Sequence, residues 1–198
     1  MGKTTQVDLC CRWLEEQGYE VVRTFEPGDS AVGAAVRQIV LDPATEEMSP
    51  RAEALLYAAD KAQHLFAVVR PALARGAVVV CDRYVDSMLA YQGAGRVLAA
   101  AEVEQIARWA TEDLRPDLTV VLDTEPDQAV YAKANPDRLE AAGEEFHEAV
   151  RQYFLELAQR EPEHYLVLDA RGSRGAIAAK VRQRLVPLLS AAGARIEA

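Results

Sequence analysis

Ala77-Val78-Val79-Val80-Cys81-Asp82-Arg83-Tyr84 is five apolar residues in a row, stopped by an acid, a base and a ring. An apolar run without alternation predicts a strand buried on both faces, and such strands belong to parallel sheets covered by helices. Two further short runs, at 118–122 and 165–168, also end in an acid, Asp123 and Asp169. A fourth strand is expected at 19–24, around Val21 and Val22, and is stopped by Pro27 and Gly28.

Helical periodicity fills the intervals. Val7, Cys10, Cys11 and Leu14 mark a first helix over 4–17, with Gly18 at its C-terminal cap. Val32, Val36, Ile39 and Val40 mark a second, with Arg37 on its other side. A long helix over 51–75 carries Leu55, Ala58, Ala62, Leu65, Phe66 and Val69 as its apolar face, with a kink expected at Pro71 and an end at Gly76. Tyr57, Lys61 and His64 stack on another side of it at i, i+4 and i+7, a pattern of a solvated amphipathic stripe or of a binding face. Later helices are expected through Val103, Ile106 and Trp109, through Phe146, Val150, Phe154 and Leu157, and through Ile177, Val181 and Leu185. Strands alternating with helices predict an α/β fold, a doubly wound parallel sheet with helices on both faces in one domain over 1–198. Ligands of such folds bind beyond the carboxyl ends of the strands, where the acids gather. Residues 125–143 have weak periodicity and read as an exposed flap.

Half of the 198 residues are apolar, enough for one sizeable core. A net charge of −9 argues against a nucleic-acid polymer as partner, since that binding relies on Lys and Arg neutralising phosphates. Cys10, Cys11 and Cys81 lie in apolar runs without C-x-x-C spacing, so reduced, buried thiols are expected rather than a disulfide or zinc site. No apolar run approaches the roughly 20 residues that span a bilayer, and no leader pattern precedes the first helix. A cytoplasmic protein without membrane contact is expected.

Gly2-Lys3-Thr4-Thr5 matches the closing half of the phosphate loop G-x-x-x-x-G-K-[ST]. In that loop backbone N–H groups cradle phosphates, the Lys reaches the terminal ones and the hydroxyl meets Mg²⁺. A bare GKT also occurs in ordinary N-terminal helices, and the stretch alone leaves both readings open.

The run DRYVDSMLAYQGAGR, 82–96, resembles the signature of the thymidylate kinase family. TFEPG at 24–28, ALLYAADKAQH at 54–64, PDLTVVLD at 116–123, DRLE at 137–140 and YLVLDA at 165–170 are similar to that family's other blocks and stand in its order. The resemblance implies a P-loop nucleoside monophosphate kinase fold. It further implies transfer of the γ-phosphoryl of ATP to thymidine monophosphate (dTMP), Mg²⁺ as cofactor, a place in dTTP synthesis, and a homodimer. By position it assigns Gly2, Lys3, Thr4, Thr5, Lys133 and Arg138 to ATP, and Thr4 and Asp82 to the metal. It assigns Lys3, Arg83 and Arg138 to catalysis, and Glu26, Arg37, Tyr57, Lys61, Arg83, Ser87, Tyr91 and Gln92 to the acceptor. Arg83 and Arg37 would grip its phosphate, Tyr57 would stack on thymine and Lys61 would bond the base. Lys61 stands where the family has Arg, and Asp29 adds a carboxylate near the acceptor phosphate. The flap is short, keeping Lys133 and Arg138 from a segment usually rich in Arg. The family pattern calls for a strand and a glycine-rich half-loop ahead of Gly2, so a truncated sequence with Met1 at an internal loop position is expected. A nucleotide-binding protein without turnover, and a P-loop kinase for another small acceptor, are the alternatives.

Overall fold

A computed structural model describes residues 2–45, 47–94, 98–125, 137–139 and 142–191. Helix α1 (Lys3–Glu16) leads to strand β1 (Val21–Phe25), helices α2 (Ala31–Leu41) and α3 (Pro50–His64), a π-helical turn (Leu65–Val69), and α4 (Arg70–Ala74). Strand β2 (Val78–Asp82) follows, then α5 (Val85–Met88), a second π-helical turn (Leu89–Ala94), α6 (Ala100–Ala110), β3 (Thr119–Asp123), α7 (Glu144–Arg160), β4 (Tyr165–Asp169) and α8 (Arg174–Ala191). Serines open two of the helices: Ser30 Oγ accepts from Gly33 N at 2.9 Å, and Ser49 Oγ from Ala52 N at 3.2 Å, satisfying N–H groups the helix cannot.

The apolar runs form parallel strands as their pattern requires. β1 pairs with β2 and β3 with β4, which places Phe25 beside Asp82 and Asp123 beside Asp169. Among the described residues these are two separate two-stranded sheets. Every residue of β2 and β3 is half-buried, where the sequence predicted full burial; each strand keeps one edge without a ladder partner among the described residues. Alternation assigns the faces. Val120, Leu122, Leu166 and Leu168 pack with Cys10 of α1 and with Ile177 and Val181 of α8, while Val121 and Tyr165 pack with Leu157 and Ala158 of α7.

Three helices present faces other than those predicted. On α3, Tyr57, Lys61 and His64 are buried, whereas Leu55 and, in the turn after it, Phe66 are 57% and 77% exposed. On α2, Val36 and Val40 are buried but Val32 and Ile39 are exposed, and Trp109 of α6 points to solvent. Instead of a kink at Pro71, the helix widens into the π turn just before it, where the proline ring would otherwise meet the carbonyl four residues back. The cysteines are free thiols, with Cys11 buried and the other two half-buried; burial, with the Cys11 sulfur nearby, pushes the Cys10 thiol up to about 11.

A buried carboxylate joins the two halves of the molecule. Asp86 of α5 is 3% exposed; its Oδ2 accepts from Thr119 Oγ1 and its Oδ1 from Tyr165 OH, each at 2.8 Å, with Arg115 Nη2 at 3.3 Å. Removing it orphans a hydroxyl on each of β3 and β4. Asp86→Ala is predicted to lose about 2–4 kcal/mol of stability, read as a lower urea midpoint with unchanged slope.

Candidate active site

The turn Glu26-Pro27-Gly28 leaves β1 beside the Asp82-Arg83-Tyr84 segment that leaves β2, and Glu26 N donates to Asp82 O at 3.1 Å. Both loops thus meet at the carboxyl edge of the strands. Glu26, Arg37, Tyr57, Lys61, Arg83, Ser87, Tyr91 and Gln92 line one pocket at this edge. All eight acceptor-site residues named from the sequence are therefore brought together, from two loops, three helices and a π turn.

At the pocket's inner wall, Glu26 is buried with Lys61 and His64. Lys61 Nζ bonds one carboxylate oxygen, and His64 Nδ1 lies 2.7 Å from the other. The His64 Nε2 atom is 2.6 Å from Thr24 Oγ1, which donates in turn to the Asp29 carboxylate. Asp29 is thus turned toward the strand end. Burial opposes the Glu26 charge, but Lys61 and the bond to His64 outweigh it and hold the carboxyl below its ordinary value. Asp60 fastens the same loop through Oδ1, which accepts from Gly28 N at 3.0 Å. Two glycines permit this closeness: a Cβ on Gly33 would stand 2.3 Å from Asp60 Oδ1, and one on Gly28, at φ +120°, would stand 2.8 Å from Arg37 Cδ.

Two guanidinium groups enter the pocket. Arg83 has a left-handed backbone, φ 71°, unusual for a residue with a side chain, and its guanidinium lies 5.0 Å from the centre of the Tyr91 ring. Arg37 is steadied by the carbonyl of Pro27 at 2.7 Å and by the Phe25 ring. Tyr57 presents a buried ring whose hydroxyl is pushed up by burial and by Glu53. Together these offer positive charge, aromatic surface and a few buried polar groups in one pocket.

Other named residues lie elsewhere. Gly2 caps α1, and Lys3, Thr4 and Thr5 form its first turn. Asp82 is the half-buried last residue of β2. Arg138 is a surprise: its Nη2 bonds the buried Glu53 carboxylate and its Nε donates to Val40 O at 2.9 Å, so its guanidinium braces α2 against α3. Lys133 and most of the flap lie outside the described residues. Met88, Asp137 and His147 also line the pocket, though none was assigned a role from the sequence. Glu53 and Asp86 were missed as well; the signal for Glu53 was its place one turn before Tyr57 and two before Lys61, on one helix stripe.

A cationic, aromatic-walled pocket beyond the carboxyl ends of parallel strands defines an α/β protein of the nucleotide-binding class. The chain belongs to the thymidylate kinase family, which it matches over residues 1–181. It is 56% identical over 189 residues to the thymidylate kinase of Cutibacterium acnes, covering 96% of this chain and 93% of that one. It is also 56% identical over 197 residues to that of Clavibacter sepedonicus, covering 96% and 92%. The crystal structure of thymidylate kinase from Ehrlichia chaffeensis superposes with a TM-score of 0.76 at 26% identity, over 93% of this chain and 92% of that one.

The depressed Glu26 pKa has a sign. A carboxyl that is more acidic folded than unfolded adds stability above about pH 4.5, its ordinary value, and that contribution is lost as pH falls through the folded pKa. Glu26→Gln removes the titration. The wild type's stability advantage over this variant is predicted to shrink as pH is lowered from about 7 to about 3, measured by urea unfolding at each pH.

Proposed function

We propose that this chain transfers the γ-phosphoryl group of ATP to dTMP, giving ADP and dTDP as a step toward dTTP. The carrying observation is the convergence of Arg83 and Arg37 with Tyr57, Lys61 and Gln92 in one pocket, which is the chemistry of a pyrimidine monophosphate. The guanidinium groups receive the phosphate, since planar forks match its oxygens. The Tyr57 ring offers the base an aromatic face, Lys61 and Gln92 its polar contacts, and Ser87 and Tyr91 the sugar.

A monophosphate has a second pKa of roughly 6, so its oxygen is already anionic near neutral pH and no general base is required. That oxygen attacks the γ-phosphorus, the bond from γ-phosphorus to the β-bridging oxygen breaks, and ADP leaves with the electron pair. Arg83 counters charge on the transferring group, and positioning supplies much of the remainder. ATP phosphates suit the N-terminus of α1, where Gly2, Lys3, Thr4 and Thr5 combine first-turn N–H groups, a positive dipole end and an ammonium. Thr4 hydroxyl and Asp82 carboxylate are hard oxygen donors of the kind Mg²⁺ takes alongside substrate phosphates. Mg²⁺ bound there would neutralise charge on the phosphates. Lys133 completes the ATP set from the flap; the pairing of Arg138 with Glu53 supports a bracing part for that residue in place of direct contact with ATP.

Activity is read as ADP release with ATP, Mg²⁺ and a panel of nucleoside monophosphates. Turnover confined to dTMP, with loss on chelation, is expected; preference for another acceptor refutes the reading. Arg83→Ala is predicted to lower kcat/KM for dTMP by at least about 100-fold while leaving the circular dichroism spectrum unchanged.

Homodimerisation fits the same reading. Val32 and Ile39 are seven residues apart on α2, and Leu55 and Phe66 eleven apart along α3 and its π turn, so each pair projects from one side of its helix. These exposed apolar groups suit burial against a second copy of the chain. Phe66→Asp is predicted to shift the species seen by light scattering from dimer to monomer. A cytoplasmic location fits the same reading.

A further inference from the structure

Gln92 and Glu53 are each 1% exposed, and between them runs a hydrogen bond that fixes more than their positions. Gln92 Nε2 donates to Glu53 Oε1 at 2.9 Å, and Glu53 Oε2 is paired with Arg138 Nη2. Arg138 is itself held by Val40 O, and its backbone N–H donates to Leu41 O at 3.2 Å.

The two ends of a glutamine amide have nearly the same shape but opposite chemistry: the NH₂ donates and the oxygen accepts. An ionised carboxylate can only accept, and the guanidinium of Arg138 favours that ionised form. The amide end that meets Glu53 must therefore be the NH₂. The carbonyl is then the end available to the pocket that Gln92 lines. Turned round, the amide would set its oxygen against a buried carboxylate oxygen, acceptor against acceptor.

We propose that Glu53 is a specificity-determining positioning residue: by accepting from Gln92 Nε2 it locks the amide so that the pocket offers an acceptor to a pyrimidine ring nitrogen that carries hydrogen. This rests on the reading of the pocket as the site of the acceptor base. Thymine and uracil carry hydrogen at N3 and can donate to the locked carbonyl. Cytosine has a lone pair at N3, so oxygen and nitrogen lone pairs would oppose one another. Discrimination against cytosine is thus set from behind the pocket, by a residue that does not line it.

Glu53→Gln tests this, because an amide there can donate or accept and so permits both orientations of Gln92. Steady-state kinetics with dTMP and dCMP, at fixed ATP and Mg²⁺, give the ratio of kcat/KM values. The wild type is expected to favour dTMP strongly, and E53Q to lower the ratio by about 10- to 100-fold, mainly through KM with kcat changed little. A merely structural role would reduce both acceptors in proportion; an unchanged ratio in folded E53Q overturns the proposal. Should E53Q not fold, Gln92→Met leaves the pair of Glu53 and Arg138 in place and must lose the same discrimination, so retained discrimination overturns the proposal. A wild type that uses no dTMP overturns the base-pocket reading itself, which separates that failure from this one.

Discussion

Glu26 carries its charge almost out of water, at 4% exposure, and the arrangement of the pocket follows from how that charge is balanced. An isolated carboxylate at such depth would protonate or unfold its surroundings. Lys61 Nζ and His64 Nδ1 both reach it, and both stand on α3. The helix is thereby compelled to turn its Tyr57, Lys61 and His64 side toward the end of β1. Leu55 lies about 200° round the helix from Tyr57 and is carried outward by the same rotation. One ion cluster therefore explains both the polar wall of the pocket and the apolar surface on the opposite side of the helix.

Glu53 and Asp86 repeat this solution at two other depths. Each is a carboxylate with almost no exposure, and each takes donors from elements distant in sequence: Gln92 and Arg138 for Glu53; Thr119, Arg115 and Tyr165 for Asp86. Removing any one deprives several donors of their acceptor, so the cost is concentrated where segments distant in sequence meet. The frame is thus polar where these carboxylates tie distant segments together and apolar around Val36, Val40, Val103 and Ala107.

Much of this could be read from the chain. Continuous apolar runs ending in Asp identified the strands, their parallel sense and the edge at which a ligand would sit, because those features depend on local composition. The buried side of α3 could not be read so. Counting apolar residues places Leu55 and Phe66 inward, and nothing within the helix reveals that Glu26, some thirty-five residues earlier, waits for Lys61. Arg138 is a similar case: a guanidinium in a flap resembles a phosphate ligand until Glu53 is seen to hold it. Hydropathy describes what a side chain prefers in isolation, whereas a buried charge is decided by its partner.

The widened turn at 89–94 also shapes how the pocket can change over evolutionary time. A π turn holds one residue more than the α turn it replaces, and each residue of an α-helix advances about 100°. Tyr91 and Gln92 lie within that extra winding. Deleting a single residue here would restore an ordinary helix and swing the amide away from Glu53 in one step. Point substitutions adjust such a site by degrees; a change of one residue in length replaces its wall outright. The length of this short segment is therefore a discrete variable for the shape of the pocket wall.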